Sequence, residues 1–209
     1  MDLCLKLASR ELSAGDVAAL VVAEPELLSQ VFEGLNVPKA AIKFGCEKTL
    51  RLISEKAPQL LYPHYDFFVA LLDSENSFLR WGAIHTLGNL AAVDSQNRFE
   101  EVFEKYFAPI PGPALIPAAN AIGGAARIAK ARPELTPRIT AELLKVEQAS
   151  YQTPECRNVA LGQAIDSFDA FFDNVEDKEA VLAMVERQLA NTRNATRKRA
   201  ERFLKRHGR

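Results

Sequence analysis

Apolar residues recur at three- and four-residue spacing along almost the whole chain. The segments "PELLSQVFEGL", "YDFFVALLDS", "FEEVFEKYF", "ITAELLKVEQ" and "EAVLAMVERQL" each carry one apolar stripe and one polar face, the signature of amphipathic helices. Shorter breaks rich in Pro, Asn, Asp and Ser lie between them, as helix stops and starts require. Thr153-Pro154-Glu155 predicts one such start: a hydroxyl at the N-cap, proline in the first turn and an acid near the positive helix end. No alternation of the strand type survives for more than a few residues. The pattern predicts an all-α chain.

A longer period overlies the helical one. Arg80 begins "RWGAIHTLGNL", and 37 residues earlier Lys43 begins "KFGCEKTLRLI". Another 37 residues on, Pro117 begins "PAANAIGGAARI"; steps of 40 then reach Arg157, "RNVALGQAIDSF", and Arg197, "RKRAERFLKRH". Three past these anchors stand Cys46, Ala83, Asn120, Ala160 and Ala200, and seven past them Leu50, Leu87, Gly124, Ala164 and Leu204. Small residues at the third position let a neighbouring helix approach closely. Each anchored helix follows one of the amphipathic helices above, so the unit is a helical hairpin. A hairpin cannot bury its stripe alone, whereas stacked hairpins share one core, which accounts for Leu50, Leu87, Leu90, Ile165 and Leu204 as core positions.

With that period and that hairpin, the chain resembles the HEAT-repeat proteins. "DSENSFLRWGAIHTLGNL" is the best-matching unit. The resemblance implies an α-solenoid, a right-handed α-α superhelix of about five hairpins over residues 25–57, 58–95, 96–132, 133–173 and 174–209, preceded by a capping segment over 1–24. It further implies a structural ladder between hairpins made by Asp73, Arg80 and Arg157, with no ladder arginine where Pro117 replaces the basic anchor. It also implies a concave face of second helices on which a partner docks. By that geometry Phe44, Lys48, Trp81, His85, Asn158 and Arg202 form a strip facing the partner. Trp81 has a second reading, in which it fills a gap between repeats, and His85 one as an ordinary polar helix residue.

Composition narrows the chemistry. Apolar residues make up 48% of the chain and charged residues 25%, ordinary for a folded, water-borne protein. There is no apolar run long enough to span a bilayer, and the opening "MDLCLKLASRELSAGD" lacks the basic, apolar, small-residue order of a secretory signal. Cys4, Cys46 and Cys156 are widely spaced and fit reduced thiols in a cytoplasmic protein. His64, His85 and His207 have neither a neighbouring Glu nor a second His at helical spacing. The di-iron HEAT enzymes carry repeated His-Glu pairs, and this chain has none. Nucleophile elbows and phosphate-binding glycine loops are likewise missing. Gly123 and Gly124 sit in helix register, where close packing or a kink explains them better than phosphate. No cofactor is therefore expected.

Net charge is −1, unevenly spread: residues 191–209 hold eight Lys and Arg against Glu201. Arg193, Arg197, Lys198, Arg199, Lys205 and Arg206 form a candidate basic patch, read either as the polar outside of a terminal repeat or as a dock for an acidic partner. The proline run Pro109, Pro111, Pro113 and Pro117 predicts a stiff, lengthened turn within the third hairpin. Together these features predict a non-enzymatic scaffold that binds a protein partner, with no membrane contact. The alternative is a nucleic-acid-binding protein of the HEAT-like DNA alkylpurine glycosylase type, which the acidic balance of the first 190 residues opposes.

Overall fold

A computed structural model of the protein describes residues 2–208. The outermost residue of the expected cap and of the expected fifth hairpin lies outside them. Among the described residues every regular element is helical, and no helix is long and apolar enough to cross a membrane. The chain divides into two compact units between Phe99 and Glu100.

The first unit opens with α1 (Asp2–Ser9) and α2 (Ala14–Ala23). Ser13 and Asp16 exchange side-chain and backbone bonds at the start of α2, a capping box that satisfies two otherwise orphaned N–H groups. Next come α3 (Leu28–Leu35), α4 (Ala40–Lys56), the single turn α5 (Pro58–Leu61), α6 (Tyr65–Leu71) and α7 (Ser77–Leu90). Helix α4 is central: α1, α2, α3 and α7 all pack on it, and α6 packs on α7. The second unit holds α8 (Arg98–Phe107), which begins in the last residues of the first, then α9 (Leu115–Ala131), α10 (Thr136–Leu144), α11 (Pro154–Phe171), α12 (Lys178–Arg187) and α13 (Asn194–His207). Helix α11 packs against both α9 and α13, while α10 packs against α12. First and second helices of successive hairpins thus form two layers within this unit.

Three helix junctions share one construction. Glu24, Ala57 and Arg132 each precede a proline and adopt nearly the same backbone, with φ of −129°, −144° and −132°. Proline disfavours helical geometry in the residue before it, so the preceding helix stops there. The N–H of each stop residue still bonds back to Leu20, Ile53 or Ile128, and the proline opens a short helical turn that leads toward the next helix.

The buried positions recur with the anchors, with two corrections. Cys46, Ala83, Ala160 and Ala200 are at most 1% exposed, as the period predicts. In the third hairpin Asn120 is half-buried, whereas Ala118, Ala121, Ala125 and Ile128 are fully buried. The register there starts at Ala118, not Pro117, one residue later than the text alignment. The proline-rich turn before it is the reason: Ser150 N–H bonds to Pro111 O, the Tyr151 hydroxyl bonds to Ile110 O, and Gly112, at φ +106°, lies where a side chain would meet the Ser150 carbonyl. That docking sets where α9 begins. Leu204, expected in the core, is only half-buried; Phe203 beside it is buried in its place.

Candidate docking surface

The outward face of the first unit carries an aromatic cluster. Phe44 on α4 and Trp81 on α7 both flank Phe78, with ring centroids 4.8 and 5.2 Å from it. Phe78 is 54% exposed. The helical period explains the arrangement: Cys46 and Leu50 turn α4 inward, so Phe44 and Lys48 point away, and Ala83 and Leu87 do the same for Trp81 and His85. Phe44, Trp81 and His85 are half-buried and Lys48 is exposed. Sequence reasoning missed Phe78. Its signal was present, since it stands three residues before Trp81 and so shares a helix edge with it.

Close approach of α4 and α7 holds the cluster together. A side chain at Gly82 would land 2.0 Å from the Glu47 carboxylate, so the Glu47 side chain lies directly over the bare glycine of α7. Leu35, Leu50, Phe68 and Leu79 line the space beside Glu47. Burial pushes the Glu47 carboxyl above the usual carboxylate range, with Arg51 and Lys48 pulling it partly back. Arg51 stands 3.9 Å away and is shared with Glu55 at the same distance, too loose to compensate fully.

The sign of the pH effect follows. A carboxyl whose folded pKa is raised supports the fold fully below its unfolded pKa, and that support is lost as pH rises through the folded value. Glu47→Gln keeps the shape without the charge. It is expected to be more stable than the parent at neutral pH, the gap closing below the ordinary glutamate range. Urea midpoints of both proteins across pH 3–8 (roughly the span over which carboxyls titrate) check this; a gap independent of pH would refute it.

In the second unit the expected site residues meet neighbouring side chains to different degrees, and Arg202 stays exposed. Asn158 donates to Thr192 Oγ1 and accepts from Asn191 Nδ2, both at 3.1 Å, while its backbone carbonyl accepts from Thr196 Oγ1 at 2.7 Å. The basic helix α13 lies along α11 and pairs with its acids. Arg193 bonds Glu155 and Arg206 bonds Asp169; Arg199 reaches Asp166 at 2.8 Å, with Arg202 at 3.8 Å. His207 lies 2.7 Å from Asp169 and against Phe172 and Phe203. Arg197 bonds Asn191 and Asn194. Lys198 and Lys205 are exposed and form no ion pair among the described residues. Three carboxylates of α11 thus answer part of the charge of this end.

Side-chain bonds between neighbouring helices also reach beyond the expected ladder residues. Arg80 keeps Nε buried without a hydrogen-bond partner among the described residues, and Asp73 is exposed. Arg157 is exposed beside Tyr151 and Gln148. A clamp on the first helices recurs, once in each unit. Arg98 bonds Asp66 and stacks 4.5 Å from the Tyr65 ring. Arg138 bonds Glu104 at 3.1 Å and stacks 3.9 Å from the Phe103 ring. In both, an aromatic-acid dipeptide of one first helix meets an arginine of the next, combining cation–π and ionic attraction. Arg187 adds a fork onto Glu147 at 2.9 and 2.6 Å. The legible signal was an aromatic-acid dipeptide followed by arginine 32 or 34 residues after the acid, shorter than the spacing of the anchors.

Gly124 packs against the Tyr106 hydroxyl and serves close packing, whereas Gly123 meets open space. Among the described residues no group of His, Cys, Asp or Glu gathers in a way that could hold a metal ion. No family model matches the chain, and no curated protein matches it significantly.

Proposed function

We propose that the chain is a HEAT-type α-solenoid scaffold that captures a protein partner on its second-helix face, with Phe44, Phe78 and Trp81 as the anchor. The observation that carries this reading is the exposed Phe78 seated between Phe44 and Trp81. Clustered aromatic side chains at a surface are the usual energetic centre of a protein interface. Lys48, exposed beside them, gives the patch a positive edge. The complementary partner is a protein segment that presents an apolar side chain next to a carboxylate. His85 lies one turn beyond Trp81 and extends the polar rim. A binding role rather than a catalytic one, in the cytoplasm, is part of the same proposal.

The ion pairs between α13 and α11 weigh against a nucleic-acid reading of the alkylpurine glycosylase kind. Phosphate binding needs cations whose charge is available. Arginines already held by carboxylates offer less of it.

Trp81 is the chain's single tryptophan and reports on its own surface. Partner binding is expected to shift its fluorescence to the blue as water leaves the ring. Affinity capture should return a defined partner with the parent protein, weakened at least about tenfold by Phe78→Ala or Trp81→Ala, each a hot-spot loss of about 2 kcal/mol. Circular dichroism must show helicity unchanged. Equal capture by parent and both variants would remove this surface from the proposal.

A further inference from the structure

Cys4 on α1 and Cys46 on α4 are both free thiols, and their sulfurs lie 3.7 Å apart in the interior of the first unit. We propose that Cys4 and Cys46 are a disulfide-forming pair, which a small-molecule disulfide oxidant converts into a covalent bond between α1 and α4. Three elements converge to build the site. Cys4 and Cys46 are 2% and 0% exposed, and Gly34 on α3 completes the pocket. A side chain at Gly34 would fall 2.3 Å from the Cys46 sulfur and 2.8 Å from that of Cys4. The bare glycine leaves room for the two sulfurs and for nothing else. Cys4 donates its proton to the Gln30 carbonyl at 3.1 Å, so its sulfur is left to accept from Cys46. The sulfurs already face each other and must close by about 1.6 Å to reach bonding distance near 2.05 Å.

The step balances with oxidised glutathione as the oxidant. Cys4 gives up its proton, and its thiolate attacks one glutathione sulfur. The glutathione disulfide breaks, and the first reduced glutathione leaves with that proton. The Cys46 thiolate then attacks the Cys4 sulfur of the mixed disulfide and expels the second glutathione, which takes the Cys46 proton. Cys4 is the entry point because α1 is a peripheral eight-residue helix, and local opening concentrates in such elements. Cys46 lies in the middle of α4, and burial holds its thiol up at about 12. It is therefore a poor first nucleophile but is ideally placed as the resolving one. The bond closes a loop between residues 42 apart, which restricts the unfolded chain, and it fastens α4 from the side opposite Phe44 and Lys48. This site stands independently of the docking surface.

The test uses the full chain with Cys156→Ser, which removes the remaining thiol, in native buffer over graded ratios of oxidised to reduced glutathione. Intact mass after alkylation should show a species lighter by two hydrogens, unalkylated at both cysteines, and a non-reducing peptide map should join α1 to α4. Its unfolding midpoint should rise by several degrees above the reduced protein. Adding Cys46→Ser should stop the reaction at a single glutathione adduct on Cys4. Two alkylatable thiols at full oxidation, lasting glutathione adducts in the protein that keeps both cysteines, or a cross-link that forms only in denaturant would each overturn the proposal.

Discussion

Asp94→Ala is expected to destabilise the protein by about 3 kcal/mol, because one carboxylate satisfies three donors there. Oδ1 accepts from the Tyr62 hydroxyl at 2.6 Å and from Arg98 N–H at 2.9 Å. Oδ2 accepts from Phe99 N–H at 2.8 Å, and the residue is only 7% exposed. Two of these donors belong to the first turn of α8, whose N–H groups have no intrahelical partner. The third ties the turn to the preceding hairpin, and Gln96 N–H closes the network onto the same hydroxyl at 3.3 Å. Burial, followed by the hydrogen bond to Asp94, raises the Tyr62 pKa. Alanine strips all three bonds; asparagine keeps one oxygen and should lose roughly half as much. Urea unfolding should show a lower midpoint at unchanged slope, and amide exchange should quicken at Arg98 and Phe99. A loss below about 1 kcal/mol would mean that water replaces the carboxylate.

Gly124→Ala is expected to cost about 2–3 kcal/mol through overpacking. The new methyl would sit 1.9 Å from the hydroxyl oxygen of Tyr106 and 3.1 Å from the ring carbon bearing it. Tyr106 is fully buried, so its ring has no free space to swing into. Burial also drives its pKa far above that of an exposed tyrosine. Tyr106→Phe removes the atom in conflict and leaves a contact that is tight but tolerable. The double variant should therefore be clearly more stable than the sum of the single losses predicts, with a coupling of about 1–2 kcal/mol. Additive losses would show that the helices separate rather than collide.

The sequence alone determined what depends on neighbours along the chain. Helical periodicity marked nearly every helix because one turn brings residues three and four apart onto one face. Thr153 caps α11 through Cys156 N–H, as a hydroxyl before proline and an acid should. Small residues three past the anchors were legible as buried positions, since close helix approach demands them, and Cys46, Ala83, Ala160 and Ala200 are buried. Phe44 and Trp81 stood out as outward residues for the same reason.

Tertiary structure decided whatever depends on distance through space. No periodicity could place Phe78 between Phe44 and Trp81, since that contact needs the separation of α4 and α7 that Gly82 permits. Arg80 and Arg98 are both basic residues in helical text, yet only Arg98 finds an acid and a ring of the neighbouring hairpin. The basic end reads as a patch along the chain, and only packing sets Glu155, Asp166 and Asp169 of α11 opposite some of its arginines. Cys4 and Cys46, 42 residues apart, meet across a glycine on a third helix. Ion pairs, ring contacts and thiol contacts act over a few ångströms. Such distances between residues far apart in the chain are set by how helices pack, and the pattern along any one helix does not contain them.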